Sequence, residues 1–293
     1  MEKERVLVII NPVSGTGHQK SAVNAIERKI DRVNFSYEIV ETQYAHHATE
    51  LTRKAVAEGY DIVVAVGGDG SVNDVVAGLV DTDVKLGIIP CGSGNGLARC
   101  LKIPILPSKA VSILNENKMK RVDTMTVNGR VCASIAGIGF DALIAKQFQE
   151  KPQNTRGLHS YLQLIATEYP KYEPREYDMI VDGKQMREKA MFISFANANQ
   201  FGYEAIVAPD SRIDDGMIDV CFIENIPILS APPTALLLFA KKLDMSPRVR
   251  IVKASNVKII NNDLEWVNID GEALKLGNEL EVNVKHKSLK IIC

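Results

Sequence analysis

The stretch Val63-Val64-Ala65-Val66-Gly67-Gly68-Asp69-Gly70-Ser71-Val72-Asn73 decides how this chain is read. Its β-branched run predicts a buried strand. The run stops in a glycine cluster, and Val72, Val75, Val76 and Leu79 then follow at helical spacing. Strand, glycine turn and helix start together make an anion site. Glycines let backbone N–H groups approach phosphate oxygens, and the helix N-terminus adds partial positive charge. Asp69 is out of place in such a cradle, because a carboxylate repels phosphate unless a cation or a hydroxyl lies between them. The stretch therefore points to metal-assisted phosphate chemistry.

Outward from this stretch, strand and helix patterns alternate. Arg5–Ile10, Tyr37–Glu41, Asp61–Val66 and Leu86–Ile89 are strand-like, while Ala22, Ile26 and Ile30 and the segment Ala48–Ala57 have helical spacing. Short alternating units imply a parallel sheet with crossover helices, and such sheets bind ligands at the carboxyl ends of their strands. From Met119 onward strand-like runs dominate: Val131–Ile138, Tyr177–Val181, Ala190–Ala196, Met217–Ile223, Val249–Val252, Val257–Ile260, Glu279–Val284 and Leu289–Ile292. Helical patterns interrupt them near Ala142–Phe148 and Leu158–Tyr169. Asp182-Gly183 and Asp270-Gly271 are turn signals. The expected architecture is an N-terminal α/β domain over residues 1–125 and a C-terminal antiparallel β-sandwich over residues 126–293, with the last strand free to return to the first domain.

Composition narrows the class. The chain has 293 residues, 46% hydrophobic and 24% charged, an ordinary globular balance that suggests two domains. A net charge of −1 argues against a nucleic-acid partner. Cys91, Cys100, Cys132, Cys221 and Cys293 are scattered and odd in number, which favours reduced thiols and a cytoplasmic setting over disulfides or a metal cluster. The N-terminus runs from charged residues straight into a strand pattern, unlike a signal peptide. The longest apolar stretch, Ile226 to Ala240, carries Pro227, Pro232 and Pro233 and falls short of the ~20 residues that span a bilayer. It reads as a core helix with a proline-rich lead-in; peripheral contact with a membrane surface is the alternative. The oligomeric state stays open, a homodimer included.

Three loops at predicted strand ends could hold phosphate. Asn11-Pro12-Val13-Ser14-Gly15 follows the first strand, Gly67–Asn73 the third, and Pro90-Cys91-Gly92-Ser93-Gly94-Asn95-Gly96 the fourth. Lys20-Ser21 lacks the second glycine that a P-loop places before its lysine. Gly137-Ile138-Gly139-Phe140-Asp141-Ala142 matches the dinucleotide fingerprint. It lies where the alternation ends, however, and reads instead as a glycine kink at a domain interface.

Together these motifs resemble the diacylglycerol kinase catalytic-domain family, which includes bacterial lipid kinases, sphingosine kinases and ceramide kinases. Ala208-Pro209-Asp210-Ser211-Arg212-Ile213-Asp214-Asp215-Gly216-Met217-Ile218-Asp219 resembles that family's metal segment, Asp270-Gly271-Glu272 its catalytic turn, and Gly137–Asp141 also fits. The resemblance implies an N-terminal domain similar to NAD kinase and a C-terminal β-sandwich, with the active site in the cleft. It implies transfer of the ATP γ-phosphate to a lipid hydroxyl. Asn11, Pro12, Val13, Ser14, Gly15, Thr42, Gly67, Gly68, Asp69, Gly70, Ser71, Val72, Asn73 and Ser93 would hold ATP. Asp215 would bind Mg²⁺ with the backbone carbonyls of Arg212 and Met217. Glu272 or Asp270 would be the general base, and Asp69 would organise Mg·ATP or the attacking hydroxyl.

The chemistry agrees with these roles. A lipid hydroxyl is a poor nucleophile, and a positioned carboxylate can take its proton as attack proceeds. Phosphoryl transfer is mostly positioning and charge neutralisation. Asp210, Asp214, Asp215 and Asp219 crowd one segment and call for a cation, and their hard oxygen donors suit Mg²⁺ or Ca²⁺. Two positions depart from the common bacterial pattern: Ser93-Gly94-Asn95-Gly96 is closer to the sphingosine-kinase form, and Ser71 stands where threonine is frequent. Both keep a hydroxyl. The chief alternative is NAD-kinase-like phosphorylation of a soluble nucleotide or polyol. A non-catalytic nucleotide- or lipid-binding protein is a third reading, against which Asp69, Asp270 and Glu272 argue.

Overall fold

The computed structural model describes residues 2–12, 19–152, 157–260, 265–275, 277 and 279–293. The chain divides into two compact units, Met1–Thr124 with His286–Cys293, and Met125–Lys285.

The first unit alternates strand and helix: β1 (Glu4–Ile10), α1 (Gln19–Lys29), β2 (Phe35–Glu41), α2 (His47–Ala57), β3 (Ile62–Gly67), α3 (Asp69–Leu79), β4 (Lys85–Pro90), α4 (Gly96–Cys100) and α5 (Pro107–Glu116). Its strands lie in the order β2-β1-β3-β4, all parallel. Every residue of β3 is buried, as expected where helices cover both faces of a parallel sheet. The amphipathic helices present apolar residues at i, i+3 and i+4, such as Ala22 and Ile26 of α1 and Val72, Val75, Val76 and Leu79 of α3. Helices α4 and α5 are not anticipated from the sequence. The first is a single short turn, and the second begins on Pro107, a residue suited to a first helical turn.

The second unit follows β5 (Met119–Val127). It contains β6 (Arg130–Cys132), β7 (Ile135–Gly139), α6 (Phe140–Gln149), α7 (Leu158–Glu168), β8 (Arg175–Val181), β9 (Lys184–Ala190), β10 (Phe192–Ala196), β11 (Ile218–Ile223), α8 (Ala231–Phe239), β12 (Val249–Ala254), β13 (Asn256–Ile260), β14 (Val267–Ile269) and β15 (Glu272–Leu274); β16 (Glu279–Ile292) ends the chain. One antiparallel sheet has the order β12-β11-β10-β7-β14-β15. A second set, β16, β13, β8 and β9, pairs antiparallel in turn. Their apolar faces meet in one core containing Ile138, Phe195, Tyr177, Val257 and Leu280. Asn128-Gly129, Asp182-Gly183 and Asp270-Gly271 all have positive φ at both residues. This is the two-residue hairpin geometry that Asn-Gly and Asp-Gly favour.

Four expectations are corrected. The run Val131–Ile138 is two strands, because Ala133, Ser134 and Ile135 donate their N–H groups to the Asp270 carboxylate. Glu279–Val284 and Leu289–Ile292 are one strand, β16, whose C-terminal part pairs parallel with β4. The apolar stretch near α8 is no core helix, since none of that helix's residues is buried. The fingerprint-like Gly137 and Gly139 act inside the second unit. A Cβ at Gly137 would collide with the Asp141 carboxylate, and Gly139 caps α6 at φ +78. The strand that carries them, β7, runs antiparallel to both its neighbours, unlike the parallel first strand of a dinucleotide-binding unit. Among the described residues, no helix is long and apolar enough to cross a membrane.

Candidate functional site

In the first unit the two described glycine loops are built around each other. β3 ends at Gly67, and Asp69 opens α3. The Asp69 carboxylate accepts the Asn95 N–H at 2.8 Å and the Gly96 N–H at 2.6 Å. It thereby joins the loop after β3 to the loop after β4. Burial pushes the Asp69 carboxyl up, while the Gly96 and Asn95 N–H groups pull the other way. Asn95 is buried in the left-handed region at φ 54. Its side chain folds back on Gly92, accepting the Gly92 N–H at 3.0 Å and donating to the Gly92 carbonyl at 2.6 Å. Gly92 and Gly68 touch through their backbones: a Cβ on Gly92 would lie 2.5 Å from Gly68 Cα. Nothing lies within 4 Å of a Cβ built on Gly70.

Three of the residues assigned to ATP meet beside this clasp. Asn11 Nδ2 donates to Ser71 Oγ at 3.2 Å. Both line a recess with Thr42, Tyr44, His46 and Asp74. The Thr42 N–H is held by the Ile10 carbonyl at 2.8 Å, and His46 Nδ1 lies 2.9 Å from Asp74 Oδ1. Pro12 sits just after Asn11 at the end of β1, and Val72 and Asn73 lie in the first turns of α3, Val72 buried in the core. Ser93 is exposed in the loop between β4 and α4. Val13, Ser14 and Gly15 lie outside the described residues. Sequence reasoning does not single out Tyr44, His46 or Asp74, because nothing local distinguishes them from surface polar residues.

In the second unit the β14–β15 hairpin carries Asp270 and Glu272. The Asp270 carboxylate accepts Ala133 N–H at 2.7 Å, Ser134 N–H at 2.9 Å and Ile135 N–H at 3.0 Å. Its own N–H donates to the Ile135 carbonyl. Asn268 takes the Gly271 N–H at 2.9 Å and donates to the buried Asp141 carboxylate at 3.0 Å. Gln149 Oε1 accepts the Ala273 N–H at 2.9 Å. The turn is therefore fixed on both sides of Glu272. Burial raises the Asp141 carboxyl to about 6, and the Asn268 amide opposes that rise. Asn268 and Gln149 leave no sequence signal; only the fold brings them to the turn.

The acidic loop before β11 carries the proposed metal ligands. Asp215 Oδ1 accepts the Met217 N–H at 3.1 Å, and Asp215 Oδ2 pairs with Lys253 Nζ at 2.6 Å. The Arg212 side chain pairs with Asp214 at 3.5 Å. Asp219 Oδ2 is buried with no hydrogen-bond partner, and Lys253 Nζ lies 3.8 Å from it. Burial pushes the Asp219 carboxyl up, and Lys253 counters it. Among the described residues no three His, Cys, Asp or Glu side chains form a ready metal cage. The donor chemistry still fits a hard cation: the Asp215 carboxylate on a tight loop, with the Asp219 carboxylate oxygen that lacks a hydrogen-bond partner four residues on, in β11.

Comparison with known proteins identifies the family of both parts of the chain. The diacylglycerol kinase catalytic domain matches residues 5–127, and the YegS C-terminal NAD kinase beta sandwich-like domain matches residues 134–293. A diacylglycerol kinase of Bacillus subtilis (strain 168) is 28% identical over 274 residues, covering 92% of this chain and 90% of that protein. One from Staphylococcus carnosus (strain TM300) is 26% identical over 284 residues, covering 96% and 92%. A crystal structure of a diacylglycerol kinase from Bacillus anthracis superposes with a TM-score of 0.75 at 20% identity, covering 100% of this chain and 97% of that one. An NAD kinase from Archaeoglobus fulgidus, solved with ATP, shares the fold at a TM-score of 0.54 and 14% identity, covering 99% and 93%. By its two domain matches, in this order and over nearly its whole length, the chain belongs to the diacylglycerol kinase catalytic-domain family.

Proposed function

We propose that the protein is an ATP-dependent lipid kinase that transfers the γ-phosphate of ATP to the hydroxyl of diacylglycerol or a related lipid. The observation that carries this reading is the division of labour in the Asp270-Gly271-Glu272 turn. Asp270 directs both carboxylate oxygens at three backbone N–H groups. Those bonds commit it to holding the break between β6 and β7 and favour its charged form over a protonated one. Glu272, at the start of β15 on a turn fixed at both ends, is then the proton acceptor.

The donor half follows from the first unit. Asn11, Thr42 and Ser71 offer polar groups in one recess. Gly70 is a glycine that the packing of the chain does not require, which suits close approach of a phosphate to the α3 N-terminus. Asp69 acts by holding the two glycine loops together. In the transfer step the acceptor oxygen attacks the γ-phosphorus, its proton passes to Glu272, the bond from γ-phosphorus to the bridging oxygen breaks, and ADP leaves. Mg²⁺, held by Asp215 with the Arg212 and Met217 carbonyls, would supply positive charge that Lys253 otherwise provides to this loop.

The test is incubation with γ-labelled ATP and Mg²⁺ against diacylglycerol, a long-chain base, ceramide and NAD. Label in a lipid phosphate is expected, and Glu272→Gln removes it. Label on NAD would favour the soluble-nucleotide reading instead, and ATP binding with no product from any acceptor would leave a binding protein.

A further inference from the structure

Helix α8 reverses the usual arrangement of a surface helix. Thr234, Leu237 and Leu238 are partly covered, and Leu237 and Leu238 rest on the core around Val207, Cys221 and Leu243. The opposite face is exposed and entirely apolar: Pro232, Pro233, Ala235, Leu236, Phe239 and Ala240. Surface helices ordinarily turn charged or polar residues outward. The exposure continues on both sides of the helix, with Leu229 at 94%, Leu236 at 67%, Phe239 at 44% and Met245 at 67%. Four of the ten exposed large hydrophobic side chains among the described residues therefore fall in this one short segment. The helix is anchored through its covered side, where the Ile206 N–H donates to the Leu238 carbonyl and Leu237 and Leu238 pack on the core. Its outward face is thus a fixed feature of the surface.

Charge indicates what covers it. Lys241 and Lys242 follow the last turn directly and are exposed. From Ile226 to Pro247 the only other charged residue is Asp244. Beyond it Arg248 is exposed and shared with Glu224 at 3.5 Å. An apolar face edged by lysines matches a surface that is apolar inside and anionic at its rim. A nine-residue helix is about 13 Å long, too short to span a bilayer but able to lie within its headgroup boundary.

We propose that the outward face of α8, with Leu229 and Met245 flanking it and Lys241 and Lys242 at its edge, docks the protein on an anionic phospholipid bilayer. Leu236 and Phe239 enter the acyl boundary, and the lysines meet phosphate headgroups. The proposal deepens the lipid-kinase reading and rests on it only for the purpose of docking. Binding is measured without turnover, so either can fail alone.

The test is sedimentation of the full chain with vesicles of phosphatidylcholine and of equimolar phosphatidylcholine and phosphatidylglycerol. The unaltered protein should bind the anionic vesicles, more weakly as salt is raised. Leu236→Ser with Phe239→Ser should lower the partition coefficient by about tenfold or more. Lys241→Gln with Lys242→Gln should weaken binding to the anionic vesicles and flatten its salt dependence. Because these side chains are exposed, all variants should keep the parent melting temperature and the parent turnover of a short-chain acceptor in detergent. Failure of the unaltered protein to bind anionic vesicles, or equal binding by the serine variant, overturns the proposal. So does a dimer that dissociates on the serine substitutions, which would give the face to a second copy of the chain.

Discussion

Replacing Gly92 by alanine should separate the two glycine loops that Asp69 joins. A Cβ there would lie 2.5 Å from Gly68 Cα and 2.9 Å from Asn95 Oδ1. Carbon atoms pack at about 3.5–4.0 Å, so the overlap with Gly68 is about 1 Å, against backbone that has no rotamer to change. Overpacking of this kind costs about 1–3 kcal/mol. Loss of the paired Asn95–Gly92 hydrogen bonds adds about 1 kcal/mol. The expected destabilisation is about 2–4 kcal/mol, with loss of ATP binding. Gly70→Ala is the control. Nothing lies within 4 Å of the new methyl, and Gly70 is already in α3. Alanine should stabilise the helix by about 0.5–1 kcal/mol yet weaken ATP binding if phosphate comes close to that backbone. Urea unfolding reads the first quantity and calorimetric titration with Mg·ATP the second. A Gly92→Ala protein as stable as the parent, or a Gly70→Ala protein destabilised by more than about 1 kcal/mol, would refute the packing argument.

The hairpin residues should separate by substitution. Asp270→Asn should destabilise by about 2–4 kcal/mol, since an amide cannot accept all three N–H groups, whereas Glu272→Gln should leave the melting temperature unchanged and lower kcat by about 10²–10⁴. Asp141 is held at about 6 against 3.8 in an unfolded chain. The folded state therefore binds the extra proton between those values, and stability falls as pH rises from about 4 to about 6, by up to about 3 kcal/mol. Asp141→Asn should remove that component in urea titrations across this range. Lys253→Met takes the counter-charge from Asp215 and Asp219, so it should lower the melting temperature without metal and enlarge the rise on adding Mg²⁺; equal Mg²⁺ responses in the two proteins would detach the acidic loop from cation binding.

The parallel sheet was legible because β1, β3 and β4 are apolar runs that stop at or close to glycine or proline, a pattern set by burial on both faces, whereas the half-polar edge strand β2 is read from its place in the alternation. The hairpins were legible for a similar local reason, Asp-Gly at positive φ. What stayed hidden depends on residues distant in sequence. The break between β6 and β7 is caused by Asp270, which lies 135 to 137 positions away. Lys253, which answers the acidic loop, is 38 positions from Asp215. Asp69 was legible as unusual, but its two backbone partners in the next loop were not. Hydropathy also misled at α8, where apolar composition reads as burial and only the fold shows that the covered face is the smaller one.

The C-terminal residues His286–Cys293 belong to the first unit. There Lys290 and Ile291 pair with Lys85 and Leu86, and the Ser288 carbonyl takes the Asp81 N–H. During translation the edge of β4 therefore emerges long before its partner strand has been made. The nascent chain must carry that open edge while all of Met125–Lys285 is synthesised, and open strand edges invite association with other chains. A premature stop that trims only the tail would damage the first unit, and a fragment ending near residue 125 would be incomplete rather than a smaller working domain.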